Sequence, residues 1–253
     1  MSARESPLLR KIATVLSLSE AERAFVRDLE KSRRPVSART DLVKQGERYD
    51  RVGILQAGWA IRYKTLSDGR RHVINFLLPG DVFGVFLQLF EIPDHSIAML
   101  TDGTLATFET PQLVEAFRDH PRVAAAFTWF AAREESIIAE RATSLGRRTA
   151  LERMAHIVLE LYRRLEAVEL AGNGSFELPV TQEILADTLG LSLVHANRTL
   201  RKLREIGLVD IEGKTILLQN IRALKVVADF DDLFLYIRKM PESVQQQFIE
   251  ASG

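Results

Sequence analysis

The sequence predicts an α+β chain: an antiparallel all-β first domain, then a long helix, then a compact helical domain that ends in a hairpin. Three observations carry this. From Pro35 to Phe108, short runs of Val, Ile, Leu, Phe and Tyr are cut at close intervals by Gly46, Gly53, Gly58, Asp68-Gly69, Pro79-Gly80-Asp81 and Asp102-Gly103, which is the pattern of short strands joined by tight turns. From Gln112 to Ala167 the only proline is Pro121 and the only glycine is Gly146, with Ala, Leu, Glu and Arg dominating, which is helical territory. Beyond Thr181, two short amphipathic segments meet at Gly190 and a further turn follows at Gly213.

Composition bounds the function. The chain has 253 residues, 46% of them hydrophobic, enough for two domains and a connector. Lys+Arg and Asp+Glu both number 34, so the formal net charge is zero and any acidic partner must be met by a local patch. There is no cysteine, which excludes disulfide frameworks, thiolate-bound zinc, iron–sulfur clusters and cysteine nucleophiles. Met1 to Lys11 holds no apolar run of signal-peptide length, and Val82 to Phe90, the longest uncharged apolar stretch, falls short of the roughly 18–20 residues that span a bilayer. A soluble protein without a membrane partner is expected. No Gly-rich phosphate loop, G-x-S-x-G or H-E-x-x-H motif is present, so no enzyme is expected.

Taken in order, Ser19-Glu20-Ala21-Glu22 before Phe25, Val26 and Leu29 predicts a capped amphipathic helix. Val52 to Tyr63 and Val73 to Leu78 are apolar, and Ser67-Asp68-Gly69-Arg70 is a polar connection between them. Such strands pair antiparallel and curl into a sandwich or barrel. Arg122 to Leu145 places Val123, Phe127, Phe130, Ile137, Ile138 and Leu145 at spacings of three, four and seven, an apolar seam that needs a partner. The pattern weighs two partners equally: the chain's own β-domain, or the same helix of a second copy. Gly146 is placed to stop or hinge that helix before Arg147-Arg148 opens the next. His156, among Ala155, Ile157 and Leu159, reads as a packed histidine, and His120, before Pro121, as a cap or loop residue. Leu165 to Pro179 reads as loop with a short strand at Phe176-Glu177-Leu178.

The segment from Thr181 onward carries the chemistry. Thr181 is an N-cap, Ile184, Leu185 and Leu189 face inward, and small Ala186 permits a close helix crossing. Gly190 supplies a turn with positive φ. Ser192 caps a second helix to Ile206, which turns Leu200 and Leu203 inward and projects His195, Arg198, Arg201, Lys202 and Arg204 elsewhere. Leu208 to Ile211, Glu212-Gly213-Lys214 and Thr215 to Leu218 then form a hairpin. Together these make a winged helix-turn-helix. Four cations against one acid, Glu205, make a surface suited to phosphates, with Lys214 on the wing. Val194, His195, Asn197 and Arg198, near the start of the second helix, are placed to meet base edges in a major groove.

With Leu189-Gly190-Leu191-Ser192 through Asn197-Arg198-Thr199-Leu200, and with turn motifs Gln45-Gly46-Glu47, Gln56-Ala57-Gly58 and Leu78-Pro79-Gly80-Asp81, the chain resembles the cyclic-AMP receptor protein and fumarate–nitrate-reduction regulator (CRP/FNR) family of bacterial transcription factors. The resemblance runs from about Leu8 to Leu224. It implies a β-roll of cyclic-nucleotide-binding type at 8–120, a dimerisation helix at 121–146 and a winged helix-turn-helix at 147–222; beyond the usual family end, a helical tail at 223–253 carries an apolar helix-like stretch, Phe230 to Ile237, expected to pack on the wing domain or on a partner subunit. It implies a cytoplasmic homodimer on a palindromic double-stranded DNA site, half-sites ~34 Å apart, with RNA polymerase as a further partner. The alternative is a ligand-responsive β-roll scaffold that binds protein rather than reading DNA.

Departures from the family are equally specific. Members that bind cyclic AMP carry a Gly-Glu pair and an Arg-Ser pair; here Gly84 precedes Val85, and the second pair is His95-Ser96. With Phe83 these residues make the candidate effector pocket. Without the carboxylate and the guanidinium, the charge-assisted bonds that hold a buried phosphate are missing, so cyclic AMP is not expected. Haem stays chemically open through a histidine such as His72, whose plainer reading is a surface histidine beside Arg71. Val194 stands where members reading the best-known half-sites have Glu, so a different half-site is expected.

Overall fold

A computed structural model describes residues 5–85 and 87–250. In chain order its elements are α1 (Pro7–Ala13), α2 (Glu20–Leu29), β1 (Arg34–Val36), β2 (Asp41–Val43), β3 (Arg51–Ala57), β4 (Ala60–Thr65), β5 (Arg71–Leu77), β6 (Val82–Phe83), α3 (Leu87–Phe90), β7 (Ser96–Met99), β8 (Gly103–Glu109), α4 (Thr110–Asp119), α5 (Pro121–Arg147), α6 (Ala150–Glu166), β9 (Ala171–Gly172), β10 (Ser175–Glu177), α7 (Gln182–Leu189), α8 (Leu193–Glu205), β11 (Val209–Glu212), β12 (Thr215–Leu218), α9 (Ile221–Ala228) and α10 (Glu242–Glu250). The fold is the expected one: an N-terminal antiparallel β-domain, a long helix, and a winged helix-turn-helix.

By internal contact the described chain divides into two compact units: 5–60, 77–134 and 237–250 in the first, and 61–76 with 135–236 in the second. In the first, β1, β8, β3 and β6 are neighbours in that order in one antiparallel sheet, and β2 pairs with β7. Strand β3 is buried on both faces: Val52 and Ile54 join a core with Leu8, Ile12, Val26, Phe108 and Phe127, while Leu55 joins another with Val36, Phe83, Ile97 and Leu105. Gly53 is required there, because a Cβ would lie 2.2 Å from the Phe83 ring.

Helix α2 starts as the sequence predicts, with the Ser19 hydroxyl accepting from Glu22 N and Glu22 accepting from Ser19 N. The same Glu22 carboxylate, buried, takes Arg122 at 2.6 Å. Burial alone would raise the Glu22 carboxyl; hydrogen bonds from Arg122 and Ser19 outweigh it and hold the group below its ordinary value. Lys11, equally buried, pairs with Asp81 at 2.5 Å, and Asp81 also accepts from Leu78 N at the turn before β6.

The α5 seam resolves one of the open alternatives. Val123 and Phe127 are fully buried and, with Phe130, lie in the core of the first unit. Ile137 is buried too, while Ile138 and Leu145 are half-buried. Four of the six seam residues are therefore consumed inside their own chain and are not available to a second copy. The residues of α5 left exposed are Thr128, Ala132, Glu135, Ala139, Ala142, Thr143, Gly146 and Arg147. Helix α5 also runs through Gly146 to Arg147, and α6 is opened instead by Thr149, in a reciprocal capping box with Glu152. The signal was the Thr149-x-x-Glu152 spacing, which the basic pair obscured.

In the second unit, α6 is almost wholly buried and α7, α8 and α9 pack on it. Strands β11, β12, β10 and β9 form a sheet in that order; β9 is a strand that the sequence reading treats as loop. The polar heart of the unit is Glu160, buried, with Arg141 at 2.8 Å and Arg164 at 3.1 Å. Burial would raise that carboxyl, and the two guanidinium groups hold it below its ordinary value. His156 is buried against Phe230 and Phe234 at ring distances of 5.0 and 5.4 Å. Its Nε2 lies 3.1 Å from Glu140 Oε1 at an angle that makes no hydrogen bond.

The tail divides. Phe230 to Ile237 is not a helix but holds a single 3-10 turn at Leu233–Leu235, between Asp229 and Tyr236 in left-handed conformations. Phe230 and Leu235 are buried in the second unit. Farther on, Met240 N donates to Val15 O, and Met240 and Phe248 pack on the core of the first unit. His120 caps the C-terminus of α4 and stacks on Phe25 at 4.1 Å.

Candidate nucleic-acid interface

The interface is built from local rules. Thr181 Oγ1 accepts from Ile184 N and caps α7; Gly190, at φ +62°, ends it. Any side chain at residue 190 would be strained by that angle and would press Leu145 at 3.3 Å. Ser192 Oγ accepts from His195 N and starts α8. Ala196, Leu200 and Leu203 are the buried face of α8, and Thr199 turns its hydroxyl back to His195 O. The inward spacing leaves the opposite face to solvent.

On that face Val194 is 67% exposed. His195 and Arg198 beside it are exposed, as are Arg201, Lys202 and, at the turn of the β11–β12 hairpin, Lys214. None of these four cations makes an ion pair among the described residues. Arg204 does: it takes Asp210 of β11 at 3.1 Å and so ties α8 to the wing. The expected basic patch is thus smaller by one charge.

Asn197 departs from the expectation. It is half-buried, its Oδ1 is enclosed without a hydrogen-bond partner, and it lines a crevice with Gln182, Leu200, Arg201, Arg204 and Ile211. It does not share the open face of Val194, His195 and Arg198. Adjacent residues of a helix point about 100° apart, and sequence spacing alone does not place the wing that closes over Asn197.

Sequence reasoning missed what Arg71 and His72 of β5 hold. Arg71 Nε and Nη2 reach Asp187 Oδ2 of α7 at 2.8 and 2.7 Å, and Nη2 lies 3.7 Å from Glu183. His72 Nδ1 donates to Asp187 O at 3.1 Å. His72 is therefore not the plain surface histidine of the sequence reading.

A Crp-like helix-turn-helix domain model matches residues 152–227, and a cyclic nucleotide-binding domain model matches residues 33–120. The nitrogen fixation regulation protein FixK of Rhizobium meliloti is 31% identical, over 73% of this chain and 82% of its own. The transcriptional activator protein FnrL of Cereibacter sphaeroides is 29% identical, over 79% and 82%. The structure of FixK2 from Bradyrhizobium japonicum superposes with a TM-score of 0.70 at 30% identity, covering 77% of this chain and 96% of that one. The chain belongs to the CRP/FNR family. It is a DNA-binding transcription regulator.

Membership raises the question of the cyclic nucleotide, and the residues present do not fit one. Val85, buried in the first core, has no carboxylate to hold a ribose. His95 turns Nδ1 toward Asp94 Oδ1 at 2.9 Å and does not supply the guanidinium of the Arg-Ser pair. Phe83 and Val85 belong to two different packed cores, Ser96 Oγ accepts from Gln45 N, and a Cβ on Gly84 would lie 2.5 Å from Arg51 O. Of the expected effector-pocket residues, none supplies a carboxylate for a ribose or a guanidinium for a cyclic phosphate. Among the described residues no cluster of three or more His, Asp and Glu is placed to hold a metal ion, and no helix is long and apolar enough to cross a membrane.

Proposed function

We propose that this regulator acts as a homodimer on a palindromic site, one α8 per half-site, and that it reads DNA without a cyclic nucleotide. The observation that carries the reading is the face of α8 on which Val194, His195 and Arg198 stand exposed and unpaired beside Arg201 and Lys202. Arg198 takes a guanine bidentately, Val194 meets a thymine methyl, and His195 adds a polar contact to a base edge. Arg201, Lys202 and Lys214 neutralise phosphates, with the Thr181 and Ser192 caps aiming their helix starts at the backbone. Asn197 supports α8 from its enclosed side.

The second copy meets the exposed small-residue face of α5, from Thr128 to Gly146, rather than the buried seam. Half-site spacing then follows from the two-fold axis. The β-domain biases the reading units through α5, by a signal other than a cyclic nucleotide. The regulator works in the cytoplasm, as an activator that touches RNA polymerase, and not as an enzyme.

Arg198→Ala tests the reading. It is expected to cost about 1–3 kcal/mol on the best duplex and to relax the sequence preference at one base pair of each half-site. Unchanged affinity would remove α8 from the major groove.

A further inference from the structure

Strand β5 lies within the match to the cyclic nucleotide-binding domain, at 33–120. By contact, however, 61–76 belongs with the helical part of the chain. The reason is a grip at each end of the strand. At one end Arg164 of α6, buried, donates through Nη2 to Phe76 O at 2.7 Å and through Nη1 to Asn75 Oδ1 at 3.0 Å. At the other, Arg71 and His72 take hold of α7 at Asp187. Arg71 also lies over the Tyr63 ring of β4, at 6.0 Å.

The grip falls where α7 needs it. The last carbonyls of a helix have no partner within the helix, and cations are favoured at that end. Asp187 O is one of these carbonyls, two residues before the end of α7 at Leu189. His72 satisfies it from 115 residues away, and Arg71 neutralises the carboxylate of the same residue. Gly190 and the turn into α8 follow directly. The hairpin of β4 and β5 therefore splints α6 to α7 and fixes the point from which α8 is launched.

We propose that Arg71 is a positioning residue for DNA binding: by holding Asp187 and Glu183 it sets α7, and through the Gly190 turn α8, in the reading geometry without touching DNA itself. The inference rests on α8 being the reading helix. It assigns the β4–β5 hairpin as the part of the effector-domain sequence that reaches the DNA reader directly.

The test uses the full chain and a duplex selected by the wild-type protein, with affinity read by fluorescence anisotropy and folding by thermal midpoint. Arg71→Ala is expected to weaken binding about five-fold or more, with the midpoint within about 2 °C of wild type, and to speed amide exchange in α7. Asp187→Asn is expected to weaken binding as well. If these carboxylates act only by repelling phosphates, Asp187→Asn would tighten binding, and that result overturns the proposal. The double variant Arg71→Asp with Asp187→Arg restores the pair and is expected to recover most of the lost affinity; failure to recover, with folding intact, also overturns it. Arg198→Ala is the control: if it weakens binding while Arg71→Ala does not, the positioning role alone falls. If neither weakens binding, the reading by α8 falls and takes the positioning role with it.

Discussion

Two surfaces of this chain depart from their family in opposite ways. In the β-domain Val85, standing where members that bind cyclic AMP carry a carboxylate, enters a core. On α8 the apolar replacement, Val194, stays exposed, beside cations without partners. A position that loses its charge can pack and gain core. A DNA-reading face cannot, because groups kept for a partner must remain unsatisfied until it arrives. The contrast gives Val85 to packing and leaves the α8 face open to a partner.

The contrast breaks most visibly with the same substitution at both places. Val85→Glu buries a carboxylate without a cation and is expected to cost about 3–5 kcal/mol, a loss of midpoint that cyclic AMP does not restore. Val194→Glu, on an exposed helix face, is expected to change stability by no more than about 0.5 kcal/mol while changing which half-site is selected. Denaturant titration of the two variants separates them.

Arg198→Ala follows, at about 1–3 kcal/mol of binding with no loss of fold. His156 gives a pH effect of about 2 kcal/mol in the second unit. Burial pushes this imidazole from 6.5 down to about 4, with Glu160 and Glu140 pulling upward and Arg148 and Arg141 adding to the depression. The unfolded chain takes up a proton that the folded chain refuses, so stability falls as pH drops below 6.5. Unfolding free energies from urea titrations at pH 7 and 5 are expected to differ by about 2 kcal/mol, and His156→Gln to remove most of that difference. Working above pH 5 keeps clear of Glu22 and Glu160, whose depressed carboxyls lose their contribution only as pH falls below the ordinary carboxylate range. The smallest effect is that of Lys214→Ala, which is expected to reduce the slope of log affinity against log salt by about 1 at nearly unchanged sequence preference.

What the sequence made legible is what is local. Ser19, Thr181 and Ser192 cap helices through residues three positions away, and Gly190 turns the chain by its own backbone freedom. Such signals lie within a few residues of the feature they create. The partner of an apolar seam does not, and Val123 and Phe127 look the same whether they meet a β-domain or a second helix. Likewise, nothing near Arg71 announces Asp187, 116 residues on. The orientation of Asn197 depends on β11, which arrives only through the fold. At the family level more was legible, because the helix-turn-helix motif is short, contiguous and chemically specific.

The most direct test of the account is selection of binding sites from a random duplex library by the purified, ligand-free protein, at low and moderate salt, beside its Arg198→Ala variant. The account predicts a palindromic motif enriched by the wild type at both salts and degraded at one position per half-site by the variant. Recovery of only sequence-independent, salt-sensitive binding, identical for both proteins, would contradict it.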